Sequence, residues 1–286
     1  MWAKASVCAF PKIVCTSSIH QAARYNEPAM TSSHTPKDRV HDLLRDIDLV
    51  IFDFDGVVAD SEVISLSTLH RALDDFGINM PLSAVRETFL GTSMTTILKH
   101  VESFKPSCST KQFADHWQAM LFEQLTRDLT PVPGVVALLD RLQATRTPYC
   151  IGSSSSFKRL GVALDAMTLR DRFTHVFSAE QVNRGKPAPD LFLHAAQQLG
   201  TDPTSCLVIE DSPFGVRAAK AAGMRCAGFV GGAHMAGIRD DHAATLKCAG
   251  ADLILDSFAA LASKPLARGQ ALGNSVPDEI EEHPTR

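Results

Sequence analysis

One stretch, DLVIFDFDGVVADSE at residues 48–62, decides how the rest of the chain is interpreted. It opens with the apolar run Leu49–Phe54, whose short length and β-branched residues predict a strand buried on both faces. Asp53 and Asp55 interrupt the carboxyl end of this run, and Gly56 permits a tight turn directly after them. Burying an unpaired carboxylate is costly, so the two acids indicate chemistry or a metal. Ligands of open α/β sheets bind beyond the carboxyl ends of the strands, where this pair is expected.

Composition restricts the kind of protein and the kind of partner. The chain has 286 residues, of which 45% are apolar and 21% are charged, so it can bury a substantial core. Its formal net charge of −4 argues against a nucleic-acid partner and against an anionic membrane surface. Seven cysteines without a CxxC pair indicate buried thiols in a reducing compartment. No apolar run approaches the ~18 residues that cross a bilayer. We therefore expect a cytoplasmic protein without a membrane partner.

The two ends of the chain lack the periodicity of its middle. Residues 1–45 are rich in Ser, Thr and Ala, with basic residues and few acids. This composition predicts a disordered extension or, as the alternative, a segment at residues 1–29 that targets an organelle, and Met30 offers an alternative start. Residues 264–286 are polar, end in DEIEEHPTR and are expected to form a disordered tail.

Between these ends the periodicity predicts an α/β protein with an inserted helical unit. From residue 63 to 130 apolar residues recur at three- and four-residue steps without a strand-like run. An all-helical insert at the active edge of a sheet is typical of a lid over a crevice. After residue 131, short apolar runs alternate with helical patterns, which predicts a parallel, Rossmann-like sheet. We expect a core of residues 46–62 and 131–263 and a small all-α cap of residues 63–130.

Polar motifs follow further predicted strands at the same edge of the sheet. A run of serines begins with Ser153 and Ser154, which can offer hydrogen-bond donors to an anion at a helix N-terminus. Lys186 lies in GKPAPD, where glycine and proline hold the loop that aims its ammonium group. Glu210 and Asp211 end another buried apolar run. Parallel strands bring their carboxyl ends to one edge, so we expect these side chains to lie together.

The charges of these motifs predict a metal ion. Residues two apart on a strand share a face, so Asp53 and Asp55 are expected to approach one small ligand. With Glu210 and Asp211 nearby, each pair of like charges at about 5 Å costs on the order of 3 kcal/mol at an effective dielectric constant near 20. Such a cluster needs cations to stay ionised. Lys186 supplies one, and an all-oxygen set of ligands favours Mg²⁺ over Zn²⁺. Together the two cations can hold a phosphate dianion.

These stretches resemble a known family in their order and context. DFDGV at 53–57, Ser153, Lys186 in GKPAPD and IEDSPFGV at 209–216 resemble the four motifs of the haloacid dehalogenase superfamily of phosphohydrolases. The helical insert resembles the small cap of the branch that contains β-phosphoglucomutase and phosphoglycolate phosphatase. The resemblance covers roughly residues 48–262. It implies phosphoryl transfer through an aspartyl-phosphate, with a small phosphorylated metabolite as the partner.

The resemblance also implies a role for each motif residue. Asp53 would be the nucleophile, and Asp55 the general acid toward the leaving alcohol and then the general base toward water. Ser153 would bind the phosphoryl oxygens, Ser154 would add a backbone donor, and Lys186 would neutralise the transferring group. Members that expel halide lack the second acid, so Asp55 favours phosphate esters. The residues that would hold Mg²⁺ are Asp53, Asp55 through its backbone carbonyl, Asp211, and Glu210 either directly or through another ligand.

Substrate identity depends on the cap. In β-phosphoglucomutases a cap histidine lies twelve residues after the nucleophile, where this chain has Ser65, and an arginine follows the second cap helix, where it has GTSM at 91–94. A mutase must grip the second anionic end of its substrate, so these differences favour hydrolysis. Thr92, Ser93 and His70 are candidates for contacting a polyol or a sugar acid. For His70, a place on the outer surface of its helix is the alternative.

The prediction is therefore a Mg²⁺-dependent phosphatase of sugar or sugar-acid phosphates that is a monomer or a weak dimer. A β-phosphoglucomutase-type mutase is the alternative. A non-catalytic sugar-phosphate-binding protein is a third, disfavoured because a binder has no use for so repulsive a cluster of acids. His234 and His242 raise the question of a second metal site, but two loop histidines eight residues apart are predicted to be surface residues.

Overall fold

A six-stranded parallel sheet forms the centre of the fold in a computed structural model that describes residues 46–92 and 94–262. The expectations for residues 1–45, for Ser93 and for residues 264–286 lie outside the described residues. The strands are β1 (Leu49–Phe52), β2 (Tyr149–Ser153), β3 (Val176–Ser178), β4 (Cys206–Glu210), β5 (Arg225–Phe229) and β6 (Leu253–Leu255). Their order in the sheet is β3-β2-β1-β4-β5-β6. The predicted α/β fold with a Rossmann-like parallel sheet is confirmed.

Strand β1 lies at the centre of the sheet and is covered on both faces. It pairs with β2 on one side and β4 on the other, so Val50 lies opposite both Tyr149 and Leu207. Val50 and Phe52 belong to the apolar cluster on one face, and Leu49 and Ile51 to the cluster on the other. Burying each such side chain contributes about 1.5–3 kcal/mol. This double burial is the reason for the continuous apolar run in the sequence.

The predicted strand Leu49–Phe54 is two residues longer than the observed one. Asp53 still donates its backbone N–H to the carbonyl of Ile209 at 2.9 Å, but the chain then turns. The carbonyl oxygen of Phe54 accepts from the N–H groups of Val58 and Ala59, each at 2.9 Å. Phe54 is fully buried in this turn, so its apolar character signals burial rather than strand.

Helices fill the connections between the strands. The helices between β1 and β2 are α1 (Glu62–Asp75), α2 (Leu82–Phe89), α3 (Met94–Phe104), α4 (Thr110–Asp128) and α5 (Val135–Ala144). The later ones are α6 (Phe157–Ala166), α7 (Asp190–Gln198), α8 (Pro213–Ala221), α9 (Arg239–Ala249) and α10 (Ala259–Ala262). Helix α9 was not predicted from the sequence, because Leu246 is its one buried residue and its apolar periodicity is weak. Among the described helices, none combines the length and the apolar character that crossing a bilayer takes.

Helices α1 to α4 are joined to the sheet through a pair of neighbouring connections. The N–H of Val132 donates to the carbonyl of Val58 at 2.9 Å, and that of Asp60 donates to the carbonyl of Thr130 at 3.1 Å. Both ends of the insert therefore leave the sheet side by side, directly after the motif at 53–57. We refer to α1–α4 as the helical insert; the proposed boundaries of a cap at residues 63 and 130 stay predictions.

Candidate active site

Predicted residues from three separate motifs meet at the carboxyl edge of the sheet. Asp53 directly follows β1, and Glu210 ends the neighbouring strand β4. Lys186 donates from Nζ to Oδ1 of Asp53 at 2.5 Å and to Oε1 of Glu210 at 2.6 Å. It also donates to the carbonyl oxygen of Gly152 at 2.9 Å, and its side chain is only 5% exposed. The ammonium group of Lys186 is therefore surrounded by buried oxygen atoms of Asp53, Glu210 and Gly152.

Three of the carboxylates lie close enough together to surround a metal ion. Asp53, Glu210 and Asp211 each offer an oxygen atom, and these atoms lie within 4.8 Å of one another. All three side chains are buried, and Lys186 is the cation that contacts two of them. Three carboxylates with one lysine leave a formal charge of −2. The donor set is all oxygen, so charge and chemistry both fit a hard divalent cation such as Mg²⁺.

Burial and crowding change the acidity of this cluster. Burial, together with the charges of Glu210 and Asp211, raises the pKa of Asp53 well above its ordinary value despite the opposing effect of Lys186. Burial and the charge of Glu210 likewise raise the pKa of Asp211. Burial disfavours the charge of Lys186, but its ion pairs with Asp53 and Glu210 outweigh this and raise its pKa. Without a further cation, the cluster carries more negative charge than its surroundings stabilise.

Both carboxylate oxygens of Glu210 are already occupied. Oε1 accepts from Lys186, while Oε2 accepts from the N–H of Ser212 at 2.9 Å and from its hydroxyl at 3.1 Å. A β-carbon added at Gly215 would lie 1.7 Å from Oε1, so the start of α8 packs directly against this carboxylate. Of the two roles left open for Glu210, this geometry favours holding Lys186 and α8 over direct contact with a metal.

Asp55 has a different set of partners from Asp53. The hydroxyls of Ser61 and Ser155 donate to its two oxygens at 2.5 and 2.6 Å. Arg159 donates from Nη2 to Oδ1 at 2.7 Å. Burial alone would raise the pKa of Asp55, but Arg159 and the two hydroxyls outweigh it and lower the pKa. Asp53 and Asp55 both follow the end of β1, where the chain turns, so strand alternation is not what orients their side chains.

The serine run divides into residues with different positions. The Ser153 side chain is buried, and its Oγ accepts from the N–H of Ser155 at 3.0 Å. Ser154 is exposed. The Ser156 hydroxyl accepts from the N–H of Arg159 at 3.3 Å and so caps α6. Ser155, which was not predicted as a site residue, is the serine whose hydroxyl contacts Asp55.

The candidates in the helical insert make local contacts. The Thr92 hydroxyl donates to the carbonyl of Phe89 at 2.9 Å. His70 lies with Nε2 3.7 Å from Oδ2 of Asp74, one turn along the same helix, as expected of a residue on a helix surface. Ser65 is buried and accepts at Oγ from Nη2 of Arg159 at 3.0 Å. The position twelve residues after Asp53 therefore does meet a cation, which comes from α6 and not from the insert.

Two charged residues near Asp55 were missed. Arg159 lies in the first turn of α6, where the helix dipole disfavours a cation, and that unfavourable position was an available signal. Glu62 directly follows the first motif and begins α1. Burial, and then the charge of Asp55, raise the pKa of Glu62 to about 7. A half-buried carboxyl group with this pKa is a feature of functional sites.

The prediction that His234 and His242 are surface residues is wrong. His234 is 4% exposed, and its Nε2 lies 3.0 Å from Oδ2 of Asp211. His242 is half-buried, with Nε2 2.6 Å from the carbonyl oxygen of Asp211. Strand β5 is the neighbour of β4, so the loop that follows β5 folds against the end of β4, and α9 returns His242 to the same place. Burial lowers the pKa of both imidazoles.

The glycine of the first motif is required by this arrangement. Gly56 has a φ of +82°, and a β-carbon there would lie 2.0 Å from Oδ2 of Asp211 and 2.7 Å from Cε1 of His234. The backbone turn and the space for Asp211 both depend on the absent side chain.

Comparisons with known proteins agree with this site. A family model described as haloacid dehalogenase-like hydrolase matches residues 50–229. A probable pseudouridine-5'-phosphatase of Drosophila melanogaster is 33% identical over 190 residues, which cover 64% of this chain and 81% of the relative. A fructose-1-phosphate phosphatase of Escherichia coli is 29% identical over 177 residues, which cover 61% of this chain and 92% of that protein.

A solved structure shares both sequence and fold with the chain. A haloacid dehalogenase-like protein of Agrobacterium tumefaciens is 38% identical, with a TM-score of 0.64 over 73% of this chain and 93% of that one. The family match spans more than half of the chain and includes all four motifs. The resemblance stated from those motifs is confirmed. This chain belongs to the haloacid dehalogenase-like hydrolases.

Proposed function

We propose that this hydrolase is a Mg²⁺-dependent phosphatase of small phosphorylated metabolites, with sugar and sugar-acid monophosphates as its substrates. The observation that carries the proposal is the buried cluster of Asp53, Glu210 and Asp211 around Lys186, placed where an α/β sheet binds ligands. The names of two relatives support it, because one is a probable pseudouridine-5'-phosphatase and the other a fructose-1-phosphate phosphatase.

In the first half of the proposed reaction, the Asp53 carboxylate attacks phosphorus and the bond to the leaving oxygen breaks. The attacking oxygen loses negative charge while the phosphoryl group spreads charge over its other oxygens, and Lys186 stabilises that charge from its place beside Asp53. Asp55 supplies a proton to the leaving alcohol. Ser153 is the proposed hydrogen-bond donor to the transferring group, by resemblance.

In the second half, the aspartyl-phosphate on Asp53 is hydrolysed by water. Asp55, now a carboxylate, takes the proton from that water, and the phosphorus–oxygen bond to Asp53 breaks. The three donors to Asp55 are Ser61, Ser155 and Arg159, and they hold its carboxylate in place to take that proton. Their contacts favour the ionised form that this second half requires.

Mg²⁺ is the cofactor that the residues at this edge fit. Asp53, Asp211 and the backbone carbonyl of Asp55 would hold it. Glu210 would not contact the ion directly, because it accepts hydrogen bonds from Lys186 and Ser212. When bound, the ion neutralises phosphoryl oxygens and so lowers the barrier to attack by an anionic nucleophile. The surplus of negative charge around Asp53 and Asp211 supports a divalent ion over a monovalent one.

Hydrolysis is favoured over a mutase reaction by the helical insert. A mutase must retain its bisphosphate intermediate, which calls for a cation that holds the second phosphate. The position twelve residues after Asp53 is Ser65, and the cation that reaches it, Arg159, is already paired with Asp55. A non-catalytic binder remains disfavoured, because the cluster of three carboxylates serves no purpose in binding a phosphate dianion without a metal.

The proposal is tested by measuring phosphate release from a panel of esters in Mg²⁺ and in EDTA. The panel contains sugar phosphates, 6-phosphogluconate, phosphoglycolate and β-glucose 1-phosphate, with glucose 6-phosphate monitored for the last. We expect Mg²⁺-dependent release that Asp53→Asn abolishes. Glucose 6-phosphate formed without phosphate would identify a mutase instead, and a folded protein that releases no phosphate from any ester would refute the proposal.

A further inference from the structure

The leaving-group side of the site is defined by the side chains around Asp55. Under the proposed function Asp55 gives its proton to the leaving alcohol, so the groups that contact its carboxylate border that alcohol. Arg159 is one of them, and its Nη2 donates both to Asp55 at 2.7 Å and to Ser65 at 3.0 Å. Arg159 belongs to α6 beside the sheet and Ser65 to α1 of the helical insert. The guanidinium therefore bridges the two sides of the crevice.

The positive charge of Arg159 is already neutralised. Its side chain is 19% exposed and that of Asp55 17%, so water screens their ion pair weakly. An anionic group that took the guanidinium would leave the Asp55 carboxylate without its cationic partner in a poorly solvated place. Removing one partner of such a pair is strongly unfavourable. Arg159 can therefore donate a hydrogen bond to a substrate, but it has no uncompensated charge for a second anion.

Glu62 adds a second carboxyl group beside Asp55. Its carboxyl group is half-buried and has no hydrogen-bond or ion-pair partner within residues 46–92 and 94–262. It directly follows Ser61, whose hydroxyl donates to Asp55 at 2.5 Å, and it begins α1, the helix that carries Ser65 to Arg159. Asp55 and Glu62 thus place two carboxyl groups on the side of the site that Arg159 occupies. A hydroxyl group suits this set, because it can donate to Glu62 and accept from Arg159, whereas a carboxylate or a phosphate dianion can only accept and would compete with Asp55 for the guanidinium.

We propose that Arg159 and Glu62 bind the leaving group and select a neutral, hydroxyl-rich alcohol, that of a sugar or polyol monophosphate, over one that carries a carboxylate or a second phosphate. The inference rests on the proposed function and narrows it, because sugar-acid phosphates become the poorer substrates. An anionic leaving group is disfavoured because the charge of Arg159 is already paired with Asp55.

The test compares sorbitol 6-phosphate with 6-phosphogluconate. Both are open chains of six carbons, and they differ only where one ends in a neutral CH₂OH and the other in a carboxylate. We measure kcat/KM from phosphate release in Mg²⁺ and, for a compound that is not turned over, its Ki against p-nitrophenyl phosphate. We expect the neutral compound to be preferred at least about tenfold, because like charges placed together are costly. Glu62→Gln is expected to reduce that preference about three- to tenfold, because kcat/KM for 6-phosphogluconate rises or its Ki falls.

Glu102→Gln is the matched control, because Glu102 is an exposed residue of α3 in the same helical insert. It removes the same charge and is expected to leave the preference unchanged. A wild-type preference for 6-phosphogluconate would overturn the proposal, and so would a folded Glu62→Gln protein with the wild-type ratio. If Glu62→Gln does not fold, the wild-type ratio decides. Mg²⁺-dependent release from p-nitrophenyl phosphate shows separately that the proposed function holds, so a wrong ratio refutes only the selectivity.

Discussion

Asp53→Asn is expected to abolish phosphate release and, at the same time, to stabilise the metal-free protein. The substitution keeps the size and shape of the side chain and removes one negative charge from the buried cluster. Asp53 and Glu210 share Lys186, with Asp211 beside them, and the raised pKa of Asp53 means that its ionised form is less favourable in the folded chain than in the unfolded one. The proposed nucleophile therefore costs stability.

The magnitude follows from the distances in the cluster. At an effective dielectric constant near 20, two like charges 4.8 Å apart repel by about 3.5 kcal/mol, so Glu210 and Asp211 together oppose the Asp53 charge by about 7 kcal/mol. The Lys186 ion pair, at 2.5 Å, attracts by about 6.6 kcal/mol. These nearly cancel, and the desolvation of a buried carboxylate decides the sign. We expect a gain of about 1–3 kcal/mol, or about 3–10 °C in Tm for a domain of this size.

The assay is thermal unfolding in EDTA and in Mg²⁺ between pH 5 and pH 8. A raised carboxyl pKa means that the folded protein binds more protons than the unfolded one. The wild type in EDTA should therefore lose stability as pH rises from the ordinary pKa of 3.8 toward the raised value. Asp53→Asn should make that loss smaller. Mg²⁺ should stabilise the wild type more than the variant, because the variant lacks one ligand charge.

Asp115→Asn is the matched control, because it breaks an exposed contact with Lys111 of the same Lys–Asp type. Such a surface pair contributes little, so a change of less than about 1 kcal/mol is expected. An Asp53→Asn protein that is less stable than the wild type in EDTA at pH 8 would contradict the reasoning. The same conclusion would follow if Mg²⁺ stabilised both proteins equally.

Three further predictions concern the surroundings of Asp211. Gly56→Ala should lower both stability, measured by unfolding, and Mg²⁺ affinity, measured by titration calorimetry. Gly91→Ala is the control, because Gly91 also has a positive φ, of +69°, but a β-carbon there would meet no atom within 4 Å; its Mg²⁺ affinity should be unchanged. His234→Ala should weaken Mg²⁺ binding about 10–100-fold, because residues that orient ligands tune metal affinity; an unchanged Kd would contradict this. Arg86 of α2 donates to the carbonyls of His234 and Ala236 at 2.5 and 2.9 Å and so ties α2 to the loop that carries His234. Arg86→Ala should therefore speed hydrogen exchange of the backbone amides in α2. Equal exchange rates in the variant and the wild type would show that Arg86 does not hold α2 in place.

Much of the fold could be read from the sequence, because apolar runs report burial directly. Periodicity predicts a helix at 135–144 and strands at 149–153 and 206–210, and α5, β2 and β4 have these bounds because each is a short apolar segment with a clear stop. Lys186 was predicted to approach Asp53 although 133 residues separate them. The reason is general, because parallel strands deliver whatever follows their carboxyl ends to one edge of the sheet.

The rest depended on contacts that no period or motif encodes. Glu62 begins α1, Arg159 lies in the first turn of α6, and His234 lies in the loop after β5. The partners of these residues depend on how those segments pack across the crevice. Spacing in the sequence made His234 look like a surface residue, while the pairing of β5 with β4 buried it against Asp211.

By itself, then, the sequence determined the family, the parallel sheet and the group of acids with one lysine, because a strand buried on both faces tolerates acids at its tip only where cations pair with them. Only the tertiary structure decided how the charges are paired. Asp55 pairs with Arg159 and Asp53 with Lys186, and under the proposed function these two pairs mark the leaving-group side and the phosphoryl side of the site. Electrostatic partners are chosen by distance and burial in three dimensions, and neither quantity can be counted along a chain.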